Sequence, residues 1–89
     1  MNNLTATVTI INKKLWKVES PNREVYIARE EDPVDPWDNY VMYPSLDDMY
    51  DGFSIHIVKD HDMKPYGQAR DEAILWAFRY VNAAVEVAS

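Results

Sequence analysis

The sequence predicts one α+β domain over residues 1–89: an antiparallel sheet of four to five strands, a meander at first, with one long C-terminal helix packed across it. Three observations predict this fold. Apolar and polar residues alternate in several short segments, turn-forming residues separate these segments, and the stretch 68–88 contains neither glycine nor proline. A chain of this length forms a single domain that buries roughly 60–65% of its unfolded surface.

The first three strands follow one another closely. Apolar residues alternate with threonines at 4–11, which is typical of a half-buried strand, and 12–14 predicts a turn. A second strand follows at Leu15–Glu19. The turn signal at 20–23 is strong, because proline presets φ and asparagine tolerates the left-handed region. With a third strand at 25–28, the short connections predict an antiparallel meander.

The middle of the chain predicts a surface loop, a strand and a short helix. Residues 29–39 hold two prolines and five acids, so we expect them to form a surface loop. A fourth strand is expected at 40–43. Ser45 is the expected N-cap of a short helix at 46–50, and Gly52 is expected to end it.

A fifth strand is expected at 53–59, with one apolar face formed by Phe53, Ile55 and Ile57. After a polar loop at 60–67, the alanine-rich stretch 68–88 predicts the long helix. Its main apolar face comprises Ala73, Ile74, Ala77, Phe78, Val81, Ala84, Val85 and Ala88. A second apolar stripe comprises Trp76, Tyr80, Ala83 and Val87. The small alanines would let the helix sit close to the sheet.

Charge is the most informative feature of the composition. The net charge is −6, and residues 30–51 contain eight acids and no base. The middle quarter of the chain therefore supplies more than the whole net charge. Direct binding to nucleic acid is disfavoured because that affinity depends on Lys and Arg neutralising phosphates, and binding to anionic membranes is disfavoured likewise.

The acidic stretch has three interpretations. It is a solubilising surface, a recognition surface for a basic protein, or a divalent-cation site; Asp47-Asp48-x-x-Asp51-Gly52 lacks the spacing of a calcium loop. In the second interpretation, aromatic residues act as contact anchors and carboxylates can stand in for nucleic-acid phosphates. The candidate partner-binding residues are Glu30, Glu31, Asp32, Asp35, Trp37, Asp38, Tyr40, Tyr43, Asp47, Asp48, Tyr50 and Asp51.

No catalytic residue, metal site or cofactor is expected. The chain has no cysteine, and its two glycines exclude a phosphate-cradling glycine loop. His56 reads as an ordinary strand residue, and His61 stands between two acids of the same loop rather than among ligands from separate elements. No serine lies in a nucleophile elbow. The expectation is a protein that is not an enzyme.

The second helical stripe raises the question of a dimer. If the sheet covers only the main face of the helix, the stripe needs another partner, and two-fold dimers dominate soluble oligomers. A homodimer interface is therefore a candidate role for Trp76, Tyr80 and Val87. We expect a cytoplasmic protein, because the N-terminus shows no signal-peptide pattern, polar residues interrupt the apolar stretch at 73–88, and cysteine is absent.

Two functional hypotheses follow. Short acidic domains without motifs or cysteine are common among phage-encoded inhibitors of host machinery, including anti-CRISPR and anti-restriction proteins. The first hypothesis is accordingly a non-enzymatic inhibitor or adaptor, of the kind that phages encode, that binds a basic protein surface such as that of a nucleic-acid-binding protein. The alternative is a small-ligand protein that binds or sequesters a nucleotide-like molecule through its aromatic residues.

Overall fold

A computed structural model describes residues 6–21, 23–34, 36–60 and 67–88, with side chains of the last helix described to Asn82. The elements are, in chain order, β1 (Thr7–Asn12), β2 (Leu15–Glu19), β3 (Glu24–Glu31), β4 (Asp38–Tyr43), α1 (Leu46–Asp51), β5 (His56–Asp60) and α2 (Gln68–Ala88). The predicted helix at 68–88 is confirmed. The expectations for residues 1–5, Asn22, Asp35, residues 61–66 and Ser89 lie outside the described residues.

The five strands form one antiparallel sheet in the order β1-β2-β3-β4-β5, with α2 packed against it. Every strand pairs with its neighbour in the chain, which is the predicted meander continued through the whole sheet. The α+β prediction is therefore confirmed. Short turns permit this order, because antiparallel neighbours need no crossover connection.

The main core lies between α2 and one face of the sheet, which we call the helix face. The deepest helix side chains repeat every four residues, at Ala69, Ala73, Ala77 and Val81, and are at most 1% exposed. This spacing forms one stripe of an α-helix, and alanine lets the helix backbone approach the strands. The strands contribute the side chains of Val18, Val25, Ile27, Tyr40, Met42 and Val58.

The opposite face of the sheet, the open face, has a smaller core. Ala28, Val41 and Tyr43 are buried there, with Leu15 and Met49 packed against them. Met49 belongs to α1, so this short helix covers part of the open face. Both faces of β3 and β4 are consequently buried near the middle of the sheet.

Helix α1 has the predicted caps. The Ser45 hydroxyl accepts from the Asp48 N–H at 3.1 Å and donates to the Asp48 carboxylate at 2.8 Å. Gly52 ends the helix with φ of 78°, in the left-handed region that favours glycine. The Phe53 N–H then returns to the Asp48 carbonyl at 2.8 Å. Six residues are too few for a stable isolated helix, so these caps and the packing of Met49 hold it.

The predicted loop at 29–39 is wrong in extent. Strand β3 continues to Glu31 and β4 begins at Asp38, so only 32–37 connects them. The sequence suggests a loop because Glu31 and Asp38 are poor strand residues, and they stand directly opposite each other in the sheet. Arg29 offsets this repulsion, because its Nε lies 2.6 Å from Asp38 Oδ2.

The predicted apolar face of the fifth strand is also wrong. The strand begins at His56, and the residues that face α2 are His56 and Val58. Ile57 faces the open side and is 49% exposed, while Phe53 and Ile55 precede the strand and are exposed too. Alternation marks a strand but does not say which face a helix covers, and α1 shields only part of the open face.

Candidate functional site

The structure divides the acidic stretch into two groups. Glu30, Glu31, Asp32 and Asp38 surround the β3–β4 connection, and Asp47, Asp48 and Asp51 lie on α1. In the β3–β4 register Glu31 pairs with Asp38 and Tyr26 pairs with Tyr43, so the two groups occupy opposite ends of this strand pair. The six residues of β4 span roughly 17 Å between these two ends. Asp35 lies outside the described residues.

Acids of the first group mostly serve the fold. Asp32 accepts from the Val34 N–H at 2.9 Å and from the Asn39 amide at 3.0 Å. Glu30 accepts from the Tyr43 hydroxyl at 2.5 Å. Trp37 is half-buried and lines a small cavity of about 210 Å³ together with Glu31, Asp32, Pro36 and Asp38.

The fold also brings a cation to the first group, since Arg29 pairs with Asp38. Glu31, Asp38 and Asp60 form a row of carboxylates across β3, β4 and β5 on the helix face. Beside this row, a cavity of about 310 Å³ is lined by Lys13, Trp16, Arg29, Tyr40, Asp60, Gly67 and Arg70. The hydrogen bond that Arg29 donates to Asp38 raises the pKa of the guanidinium above its ordinary value. Arg29 thus offsets part of the negative field of the first group, whereas Arg70 lies 3.4 Å from Asp71 on α2. The described residues contain no cluster suited to a metal ion.

In the second group, Asp47 and Asp51 project into solvent, whereas Asp48 is half-buried and accepts from the Ser45 hydroxyl. On α1 Met49 points to the sheet, whereas Asp47 and Asp51, four residues apart, share the exposed side. Leu46 and Tyr50 form an adjacent apolar stripe, and Tyr50 is 93% exposed. Helix α1 has no basic residue in its last turn. We call Leu46, Asp47, Tyr50 and Asp51 the α1 surface.

Two predicted contact residues are not on the surface. Tyr40 is 6% exposed beneath α2, where its ring lies 5.8 Å from that of Trp16. Tyr43 is 5% exposed on the open face. Burial raises the pKa of both hydroxyls, and for Tyr43 the pKa reaches about 12. Neither ring can anchor a partner while the chain is folded this way.

A third arrangement lies between α2 and the start of β5. The rings of His56 and Trp76 are 4.6 Å apart, and the Arg79 guanidinium lies 5.3 Å from the Trp76 ring centre. A cavity of about 430 Å³ is lined by Met42, Ile55, His56, Trp76, Arg79 and Tyr80. Arg23 stacks on Tyr80 at 4.5 Å. Within the described part of the chain, no ion pair involves Arg23 or Arg79.

The sequence singled out only part of this aromatic cavity. Trp76 and Tyr80 were expected on one helical stripe, and the structure places them together beside β5; Trp76 is 43% exposed and Tyr80 half-buried. The side chain of Val87 lies outside the described ones. No sequence pattern singled out His56 or Arg79. Side chains two residues apart in a strand share a face, so knowing that Val58 is buried would have placed His56 on the helix face.

No protein-family model, curated protein or solved structure matches the chain. Among the described helices, none has the length and apolar content needed to cross a membrane.

Proposed function

We propose that this protein is a non-enzymatic inhibitor or adaptor that binds a basic protein surface through the α1 surface. The supporting observation is the exposure of Tyr50, 93%, on a helix capped at both ends and next to Asp47 and Asp51. A large aromatic side chain left in water on a rigid element is the kind of residue that supplies binding energy when a partner covers it. An exposed Tyr50 ring buries almost no surface within the domain, so the stability of the fold does not explain why this residue is a tyrosine.

The charges suit a basic partner. Asp47 and Asp51 stand beside the apolar stripe rather than under it, so they can remain at the rim of an interface while Tyr50 is covered. Rim charges of this kind act mainly on the rate of association and on its salt dependence, whereas buried anchors act on dissociation. The α1 surface offers both kinds of residue side by side.

A more specific form of the proposal is nucleic-acid mimicry. Two carboxylate groups about one strand length apart could occupy phosphate sites of a nucleic-acid-binding protein, as a phage-encoded anti-defence inhibitor would. Competition by duplex DNA or RNA separates this form from a general acidic adaptor. A reducing cytoplasm is the compartment we propose, since the chain has no cysteine to oxidise.

The test is affinity capture from a host lysate followed by binding kinetics on the captured protein. The double variant Asp47→Lys with Asp51→Lys should slow association by roughly tenfold or more at low salt, because it reverses the steering charge. Tyr50→Ala should instead speed dissociation, because it removes the apolar anchor. Both variants should keep the wild-type circular dichroism spectrum, since all three side chains are exposed.

The matched control reverses two exposed acids elsewhere. Glu24→Lys with Asp71→Lys gives the same change in net charge but leaves the α1 surface and the rest of the acidic stretch intact. Binding should survive in this control. If the control and the α1 double variant lose binding equally, net charge alone governs association; if neither loses it, the α1 surface is not the binding site. Either result overturns the proposal.

A second candidate function rests on the cavity beside Trp76. Its volume of about 430 Å³ lies within the range of small-ligand sites, and His56, Trp76, Tyr80 and Arg79 offer aromatic faces next to a cation. A planar anion such as a nucleotide has the complementary chemistry. A nucleotide panel should then raise the melting temperature of the wild type and of Leu75→Ala, an exposed control on the same helix, but not that of Trp76→Ala. No shift with any nucleotide would remove this candidate.

A further inference from the structure

Strand β5 forms an edge of the sheet, and among the described residues no strand pairs with its outer side. Open edges present backbone groups to which another strand can bond. The other edge, β1, has a register irregularity between Ile10 and Asn12, which interrupts its pattern of backbone groups. The pairing of β5 with β4 is regular from His56 to Asp60. Of the two edges, β5 is the better template.

The register shows which groups of β5 point outward. Just beyond β3 and β4, the Asp32 N–H donates to the Trp37 carbonyl at 3.2 Å. Since hydrogen-bonded pairs alternate along an antiparallel ladder, the odd-numbered residues of β4 bond to β3 and the even-numbered ones turn to β5. Even-numbered residues of β4 pair with even-numbered residues of β5. Among the described residues, the N–H and C=O groups of β5 that bond to no neighbouring strand are therefore those of Ile57 and Lys59.

We propose that a second copy of this chain pairs with β5 in antiparallel orientation, with the two-fold axis at Val58. Ile57 then stands opposite Lys59 of the second copy, and each such pair exchanges both backbone hydrogen bonds. Val58 stands opposite its own counterpart in the close, non-hydrogen-bonded position. The two sheets become one continuous sheet, and because the axis is perpendicular to it, both α2 helices lie on the same face.

The side chains are complementary in this register. On the helix face, the His56 imidazole stands opposite Asp60 of the second copy, at the end of the carboxylate row formed with Glu31 and Asp38. The imidazole, a hydrogen-bond donor, thus lies opposite Asp60, and Asp38 and Glu31 continue the row of acids behind it. On the open face, Ile57 lies along the aliphatic stem of Lys59, which leaves the ammonium group in water.

Neighbouring registers fit less well. An axis at Lys59 places two lysines directly opposite each other, which is destabilising. An axis at Ile57 needs the Ile55 N–H to bond outward, but that group already donates to the Met42 carbonyl at 2.8 Å. The axis at Val58 is the one that uses both outward residues without like charges.

The flank of α2 explains why such a pairing would bury apolar surface. The Trp76 ring lies 4.6 Å from that of His56, tilted by 45°, so the indole sits beside the edge strand, and 43% of its surface is exposed. A strand added beside β5 brings Val58 and Asp60 of the second copy next to the indole. The stripe expected at a dimer interface thus lies at the margin of this contact, and β5 forms its centre.

Hydrogen exchange reads the register directly. In a β5 dimer the amides of Ile57 and Lys59 are protected, and their protection rises with protein concentration. The amides of His56 and Val58 bond to β4 within one chain, so their exchange serves as the internal control. Fast, concentration-independent exchange at Ile57 and Lys59 at about 1 mM protein would overturn the dimer.

Sedimentation equilibrium of variants tests the partner residues. Ile57→Lys places a lysine opposite Lys59 and should weaken the dimer by tenfold or more, and adding Lys59→Glu should restore it by making the cross-strand pairs opposite in charge. Leu75→Lys, an exposed apolar residue of α2 away from β5, should leave the dimer intact. A wild-type monomer, or a dimer that Ile57→Lys leaves unchanged while circular dichroism shows a folded chain, would overturn the β5 interface.

Discussion

At the scale of single residues, Tyr43 shows how the open face of the sheet is sealed. Its ring packs with Ala28 and Val41, and its hydroxyl reaches Glu30 at 2.5 Å. In the register Glu30 stands opposite Asn39, four residues along from Tyr43, so the ring must extend along the sheet to reach it. The small side chain of Ala28 leaves the space for that reach. Burial, followed by the hydrogen bond to Glu30, raises the pKa of Tyr43 to about 12.

This pKa predicts a loss of stability in alkali. A tyrosine that holds its proton more tightly when folded contributes stability that is fully present below its unfolded pKa, about 10, and that is lost as the pH rises towards 12. The free energy of unfolding, measured with urea between pH 8 and 12, should therefore fall above pH 10. Tyr43→Phe should be less stable at pH 8, by about 1 kcal/mol for the lost hydrogen bond, and should decline less steeply.

The control for this measurement is Tyr50→Phe, whose ring is almost fully exposed. Its decline in alkali should match that of the wild type. Tyr26 and Tyr40 also have raised pKa values, so some loss above pH 10 must remain in Tyr43→Phe. Equal slopes for the wild type and Tyr43→Phe would show that Tyr43 is not buried against Glu30.

At the scale of elements, the stripe of Ala69, Ala73 and Ala77 sets the distance between α2 and the sheet. These side chains are at most 1% exposed and meet strand residues such as Val18 and Val25, which are fully buried. Interiors are packed to crystal-like density, so a helix seated on methyl groups has little room for larger ones.

Ala77→Leu should therefore destabilise the domain by about 1–3 kcal/mol, because the added atoms must displace the helix or distort rotamers. Leu75→Phe enlarges an exposed side chain of the same helix and should change stability by less than about 0.5 kcal/mol. Urea denaturation of both variants gives the comparison. An Ala77→Leu variant as stable as the wild type would place the close contact elsewhere on α2.

The same elements show which boundaries the sequence could predict. Local signals predict the caps at Ser45 and Gly52 and, from composition, the helix at 68–88. Each of these predictions is confirmed. No local signal marks the end of β3 or the start of β4, because the pairing of Glu31 with Asp38 depends on the contact of Arg29 with Asp38 across the two strands. The buried side of β5 depends likewise on where α2 lies, which no alternation pattern specifies.

At the scale of the whole molecule, the net charge can be counted from the sequence, but the electrostatic field at the surface depends on how the fold arranges the charges. Counting predicts an acidic middle segment, and the structure then divides it: Arg29 pairs with Asp38 in the group at the β3–β4 connection, while the α1 surface faces water. Lys13 and Arg70, which line the neighbouring cavity with Asp60, are far from this segment in sequence, so no local pattern could place them there.

Candidate site residues divide in the same way. Asp47, Tyr50 and Asp51 keep the exposure that the sequence interpretation required, whereas Tyr40 and Tyr43 lie inside the domain. Tyrosine suits both places because its ring is apolar and its hydroxyl polar, so residue type alone could not assign the location. The partner-binding role of the exposed residues stays a prediction until it is measured.

The meander also has a consequence for how the chain acquires its structure during synthesis. Because each strand pairs with the one made just before it, the sheet can assemble in the order of translation through short loop closures, which favours rapid folding. Helix α2 is made after all five strands, so until it emerges the apolar side chains of Val18, Ile27 and Met42 have no cover. The nascent chain thus passes through a stage in which a nearly complete sheet is open to chaperones or to aggregation, and docking of the last helix ends it.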